Sequence, residues 1–323
     1  RLEAMGLKAM MASELEFFLF AESYAELQAA GYRGLTTLGP YNEDYHIFQT
    51  SKEEDVMRAI RTGLNAAGVP VENSKGEASP GQEEINVRYS GALEAADGHV
   101  IVKNGCKEIA FAKGRALTFL AKWSDRAAGS SAHIHQSLWT LGGEPAFLGA
   151  DGGMTGLMRS FLAGQLAHAE AITYFLAPNI NSYKRFAAGS FAPTKAVWSN
   201  DNRTAGWRVV GEGSKAIRAE CRVGGSDLNP YLAYAALLAA GIDGIERGLE
   251  LEPEFRGDAY VADLREIPKT LRAALEALDA SAMLRGAFGD AEVEHYLHAG
   301  RWEQAEFDRR VTDWEIARGF ERA

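Results

Sequence analysis

A chain of 323 residues that is 46% apolar and 24% charged can bury a substantial core, and none of it is low-complexity. Carboxylates outnumber Lys and Arg by 44 to 34, for a net charge of −10, which argues against a general nucleic-acid or anionic-membrane surface but not against a local basic pocket. The two cysteines, Cys106 and Cys221, lie in apolar runs and read as reduced core thiols of a cytoplasmic protein; no run reaches the roughly 18 apolar residues of a membrane span, and no signal peptide is visible.

The chain opens on Arg1 inside a helix-like stretch, RLEAMGLKAM, which we read as a sign that residues, and a further domain, precede it. In chain order the patterns then predict a strand at Met10–Phe20, a loop at Ala21–Tyr45, a helix at Ser51–Ala67 and a strand at Ile85–Tyr89. A helix at Cys106–Leu120, a strand at Ala132–Leu138, a loop at Leu141–Met154 and a helix at Thr155–Phe175 follow. After a loop at Ala187–Ala192 come strands at Gly206–Val210 and Ala216–Val223. Helices at Pro230–Leu249, Lys269–Ala277 and Asp290–Arg318 complete the chain, the first with Asn229 as N-cap and Pro230 at its first position. Strands and helices do not alternate regularly, so the expected class is α+β, an antiparallel sheet flanked by helices. The charged stretch Glu303–Arg322 reads as a solvated helix face.

Three of the strands carry ions on a face that ought to be buried. Residues i and i+2 of a strand share a side, so SELEFFLF pairs Glu14 with Glu16, AHIHQS groups His133, His135 and Ser137, and IRAECRV groups Arg218, Glu220 and Arg222. Adjacent carboxylates on one face repel unless a cation lies between them. The segment KGEASPGQEE adds Glu77 and Glu84 around a Pro-Gly turn. Carboxylates with one imidazole and no cysteine suit hard divalent ions such as Mg²⁺ or Mn²⁺. Arginines nearby (Arg185, Arg203, Arg208, Arg218 and Arg222) add the means to neutralise a phosphoryl group in transfer. Singly, each feature reads as edge-strand charge or an ordinary ion pair. Jointly, that many ionic faces in one apolar domain must neutralise one another or hold ions. No P-loop, GxGxxG, HExxH or GxSxG occurs.

Over nearly its whole length the chain resembles the catalytic domain of glutamine synthetases. The resemblance is carried by SELEFFLF, EASPGQEEINVRY, GRALTFLAKW, AGSSAHIHQSLW, NSYKRF, DNRTAGWR and KAIRAECRVGGSDLNPYLAYAALLAAGIDGI, in the family's order. It implies two divalent ions, Mg²⁺ or Mn²⁺, one held by Glu16, Glu77 and Glu84 and the other by Glu14, His133 and Glu220. It further implies that Arg185 and Arg222 hold glutamate, and that Arg203 and Arg208 face the nucleotide phosphates and the transferred phosphoryl. Tyr89, His135, Ser137, Lys215 and Arg218 match positions around ATP. The implied reaction phosphorylates the γ-carboxylate of glutamate, after which an amine displaces phosphate.

Two departures bear on that amine. Phe191 stands where the ammonia-using members carry a flap glutamate, and Ala128 where they carry an asparagine. Both are similar to the γ-glutamylamine branch, which joins polyamines, ethanolamine or alkylamines to glutamate. The expectation is therefore a γ-glutamylamine ligase, with an ammonia-using synthetase or a non-catalytic relative as alternatives. The whole chain reads as one catalytic domain without the family's N-terminal β-grasp domain, which in the family completes a neighbour's site in a ring, so a homo-oligomer, dodecamer-like with that domain present, is expected. Tyr260, near where some relatives are adenylylated, reads as structural.

Overall fold

Residues 1–187 and 191–322 are described by the computed structural model; of the expected flap, Ala188, Gly189 and Ser190 lie outside them. The first long element is β1 (Leu7–Phe20), followed by α1 (Tyr24–Ala29), α2 (Ile47–Thr50) and α3 (Glu54–Ala66). Next are β2 (Val71–Gly76), β3 (Gln82–Val87), β4 (Ser90–Gly91), α4 (Ala92–Ala112), β5 (Ala116–Thr118) and β6 (Ala132–Thr140). Then come α5 (Gly156–Ala167), α6 (Ala169–Leu176), α7 (Ile180–Tyr183), β7 (Trp198–Asn200), β8 (Trp207–Val210) and β9 (Arg218–Cys221). The chain closes with α8 (Pro230–Arg247), α9 (Leu271–Asp279), α10 (Ala282–Phe288), α11 (Asp290–Asp308) and α12 (Asp313–Gly319).

One sheet runs β2-β3-β1-β6-β9-β8-β7, with β4 and β5 also paired to β1. Alternation along β1 sorts its two faces. Met11, Leu15, Phe17 and Leu19 are buried against the helical side in the main core, while Glu14 and Glu16 occupy the opposite face. Further along that opposite face Phe18 and Phe20 close a smaller cluster with Leu27 and Trp123. Both cysteines are buried and free, and no helix among the described residues is long and apolar enough to cross a membrane.

The sheet is mixed, not purely antiparallel: β7, a three-residue strand that the pattern did not reveal, pairs parallel with β8. Lys75 and Gly76 end β2, a strand the pattern did not reveal, which pairs with β3 through the turn at Ser79–Gly81. Gly81 takes φ +69° there, the left-handed conformation that glycine reaches without strain. The helix expected at Cys106–Leu120 starts instead at Ala92, because Gly98 and Gly105 dilute the apolar period. It ends before Gly114, and Ala116–Thr118 pairs with β1 as β5. The single helix expected at Thr155–Phe175 divides at His168 into α5 and α6. The last divides after Asp308, and Ser23 and Glu26 box a short helix into the expected loop at Ala21–Tyr45. Asn229 caps α8 as expected, its Oδ1 accepting from the Tyr231 N–H at 3.0 Å.

Behind the sheet α5 and α8 touch backbone to backbone. A Cβ on Gly164 would fall 2.2 Å from the Ala240 carbonyl oxygen, and one on Gly244 would fall 2.1 Å from that of Ser160. The contact seats Gln165, which is fully buried. Its Nε2 donates to Gln136 Oε1 (2.7 Å) and the Leu237 carbonyl (2.9 Å), and its Oε1 accepts from Trp207 Nε1 (2.9 Å). One helix residue thereby ties β6 to β8.

Candidate active site

Strand register assembles an ionic row on the open face. Glu16 lies directly opposite Glu84 on β3, Glu14 opposite His133 on β6, His135 opposite Glu220 on β9, and Glu220 opposite Arg208 on β8. Neighbouring strands are about 4.8 Å apart, so side chains that are far apart in sequence meet. One ligand atom each from Glu14, His133 and Glu220 lies within 4.8 Å of the others, as does one each from Glu16, Glu84 and His133. Glu77 falls outside the second group but lines the same cavity. Burial, then the charges of Glu16 and Glu84, push its carboxyl up to about 9. Burial and the charge of Glu14 likewise push Glu84 up to about 8, against the pull of Lys75.

The ion-free row is held by internal pairs. Glu14 receives His133 Nδ1 at 3.1 Å and His135 Nε2 at 3.0 Å. Although burial opposes it, those contacts hold the Glu14 carboxyl far below the usual range. Arg218 Nε donates to His135 Nδ1 at 3.0 Å, so Nδ1 must be the accepting nitrogen and Nε2 carries the hydrogen directed at Glu14. Glu220, fully buried, pairs with Arg222 and with Arg208 at 3.0 Å, and Lys75 pairs with Glu84. Against the push of burial, the Arg222 charge keeps Glu220 low.

The donor set fits hard divalent cations. Its oxygens are carboxylate, and its nitrogen is the imidazole of His133, whose Nδ1 faces Glu14 at 3.1 Å and Glu220 at 3.7 Å. With the ring hydrogen on Nε2, Nδ1 would present its lone pair to an ion held between those two carboxylates.

Two cavities meet at Glu14. One, of about 510 Å³, is lined by Tyr89, His135, Ser137, Lys215 and Arg218 over an apolar floor that includes Met10, Ala12 and Trp139. The other, of about 650 Å³, is lined by Glu14, Glu16, Glu77, Glu84 and His133, with Arg203, Arg208 and Arg222 facing them. Among the described residues Arg203 meets no carboxylate; its Nη1 reaches Tyr45 Oη at 3.3 Å. Arg185 lies near enough to Glu16 and Arg222 to feel their charges, but deeper. At 1% exposure it does not line the cavity, and it donates to the carbonyls of Val223 and Gly224 at 2.7 Å. Phe191, Ala128 and Tyr260 do line it. Sequence reading missed Lys75, Asp44 and Tyr45, which also line it. Only Lys75 left a signal, since the β2–β3 pairing that faces it with Glu84 follows from the Pro-Gly turn.

Behind the β2–β3 hairpin a second acid group is closed off: Glu43, Glu53 and Glu83 are at most 2% exposed, with ligand atoms within 4.8 Å. Burial and the Glu43 charge push Glu53 up to about 8, and burial with the charges of Glu53 and Glu43 pushes Glu83 up to about 9. Their folded pKa values exceed the unfolded value of 4.5, so their contribution is fully present below pH 4.5 and is lost as pH rises through 8 to 9. Thermal melts without divalent ions should therefore show Tm falling from pH 6 to 9. Glu53→Gln should flatten that slope and raise Tm at pH 8.5 by roughly 2–4 °C. An unchanged slope would remove the cluster as its cause.

Residues 1–319 match the family model described as "Glutamine synthetase, catalytic domain", and the chain belongs to that family. It is 48% identical to γ-glutamylethanolamide synthetase GlnA4 of Streptomyces coelicolor over 322 residues, covering 100% of this chain and 69% of that protein. To a glutamate–isopropylamine ligase of a Pseudomonas species it is 38% identical over 322 residues, 98% of this chain and 70% of the relative. The solved structure of GmaS without ligand superposes with a TM-score of 0.88 at 28% identity, covering 99% of this chain and 74% of that one.

Proposed function

We propose that this chain joins the γ-carboxylate of glutamate to an organic amine at the expense of ATP, through a γ-glutamyl phosphate. The observation that carries the reading is the meeting of two cavities at Glu14, one with an apolar floor suited to a nucleobase and one lined by carboxylates and arginines. Tyr89, His135, Ser137, Lys215 and Arg218 would take ATP; Arg222 would take a glutamate carboxylate, with Arg185 bracing the backbone at Val223 and Gly224 beneath it. Arg203, free of any carboxylate among the described residues, and Arg208 would face the phosphoryl as its charge spreads. Two Mg²⁺ or Mn²⁺ ions, held by the Glu14 and Glu16 groups with Glu77 joining the latter, would supply charge neutralisation for the phosphates. We place the enzyme in the cytoplasm, where ATP and glutamate are available, and as a ring-forming homo-oligomer.

An organic amine is favoured by Phe191. The residue is 64% exposed on the cavity wall, and its backbone φ of +56° is one that a bulky residue adopts at a cost. An aromatic ring cannot replace the water around ammonium, but offers an alkylammonium chain about 0.5–2 kcal/mol. The two relatives above are ligases for ethanolamine and isopropylamine by name. ADP release from the full-length protein with glutamate, Mg²⁺ and ammonium, ethanolamine, isopropylamine, putrescine or spermidine tests the reading. An organic amine should give the highest kcat/KM, and Phe191→Glu should gain ammonium-dependent turnover. Ammonium leading the panel would make the chain an ordinary glutamine synthetase, and no ADP release with any amine would make it non-catalytic.

A further inference from the structure

We infer that Asp44 is the carboxylate that receives the ammonium group of the incoming amine and takes its proton. The inference rests on the ligase reading above and names a residue that the sequence motifs left unassigned. Five carboxylates line the larger cavity among the described residues: Glu14, Glu16, Glu77, Glu84 and Asp44. The first four belong to the cation set, which leaves Asp44 alone without a role. Its side chain has neither an ion pair nor a hydrogen bond among the described residues, although three arginines share the cavity.

The loop that bears Asp44 is fixed on both sides. Its own N–H donates to Asn42 Oδ1 at 3.0 Å. The preceding residue, Glu43, is fully buried and accepts the Gly81 N–H at 2.6 Å. The following residue, Tyr45, has φ +53° and donates its N–H to the Gly76 carbonyl at 3.2 Å, one residue before Glu77. A tyrosine in the left-handed region is strained and persists only where its surroundings impose it. Here it turns Asp44 to the cavity and leaves the Tyr45 hydroxyl on Arg203. Asp44 is near enough for its charge to add to the upward push on Glu77, after burial and the charges of Glu16 and Glu84.

An amine arrives as R–NH₃⁺ and cannot attack until it loses a proton. Asp44 takes that proton and passes it to water at the exposed mouth. The nitrogen lone pair then forms the C–N bond to the γ-carbonyl carbon. As the tetrahedral adduct collapses, the C–O bond to phosphorus breaks with its electron pair staying on phosphate, and a second N–H proton leaves with it as HPO₄²⁻. The products are the amide, HPO₄²⁻ and one released proton, and no other reactant is needed.

Hydroxylamine separates this role from a structural one, because it is largely uncharged at neutral pH and needs no base to attack. In the full-length enzyme Asp44→Asn should lower kcat/KM for the best amine at pH 7 by about 10²-fold, while γ-glutamyl hydroxamate formation from hydroxylamine changes by less than threefold. Amine turnover by Asp44→Asn should recover toward pH 9 in proportion to the free-base amine, and Asp44→Glu should regain part of the activity. Equal losses with amine and hydroxylamine would overturn the role, as would Asp44→Asn retaining full amine turnover at pH 7. Should ammonium prove the preferred nucleophile of the wild type, the organic-amine reading fails while the same comparison, run with ammonium, still decides Asp44. Absence of hydroxamate from the wild type would overturn both.

Discussion

Replacing Arg203 by alanine should lower kcat by about 10²–10³-fold, the cost of removing one preorganised donor from a developing charge, while KM for glutamate moves by less than threefold. Arg203 lines the larger cavity and, among the described residues, pairs with no carboxylate and hydrogen-bonds through its side chain only to the Tyr45 hydroxyl. Its charge is therefore unspent in the resting enzyme and becomes useful when phosphoryl charge spreads, which places the loss in the transition state. Arg208 differs, because it already pairs with Asp201 and Glu220; Arg208→Ala should lower kcat and also lower Tm, by leaving buried Glu220 a partner short. Steady-state kinetics with saturating ATP and a glutamate titration measure both. Unchanged kcat in Arg203→Ala would reduce that residue to a support for Tyr45.

The second large effect is expected at Glu16 and has two signs. Glu16→Gln keeps an acceptor for the Ser131 N–H, 2.8 Å away, but removes a charge from between Glu77 and Glu84. Activity should fall by at least about 10²-fold and the Mg²⁺ needed for half-maximal rate should rise by more than tenfold, since even residues that merely orient metal ligands cost 10–100-fold when lost. In the absence of divalent ions the same variant should be more stable than the wild type, because two raised carboxyls lose a like-charged neighbour. Mn²⁺ titration calorimetry and melts with and without Mg²⁺ provide the readouts. A variant with normal Mg²⁺ dependence would remove Glu16 from the cation set.

Period two made the ionic faces legible: Glu14 with Glu16, His133 with His135, and Arg218 with Glu220 and Arg222 need only the rule that alternate residues share a side. Which strands lie side by side was not legible, because pairing across 68 positions, as of Glu16 with Glu84, leaves no trace in a local window. Resemblance supplied the grouping, and the register β3-β1-β6-β9 puts the same residues on one row. Burial of Arg185 was hidden for a different reason: depth depends on how the segment after α7 docks against the backbone at Val223 and Gly224, which no local pattern encodes. Asp44 and Tyr45 were hidden because irregular backbone has no period. Helix α4 was misplaced because its glycines dilute the pattern by which helices are recognised.

Tolerance to amino-acid change should not simply follow distance from the substrates. Around the mouth of the larger cavity, side chains such as Tyr45 and Phe191 stand more than half exposed and can be exchanged without moving any strand, so the choice of amine can drift among related chains at small cost to folding. The seam where Gly164 meets Gly244 has no such freedom. One added methyl there would strike a carbonyl oxygen at close to 2 Å, and the helix that yields would carry Gln165 away from Gln136 and Trp207, and with it the spacing of the strands that bear His133, His135 and Arg208. Lineages that diverge in substrate should therefore keep this remote seam unaltered, and a change that silences the enzyme without touching its ligands should be sought there first.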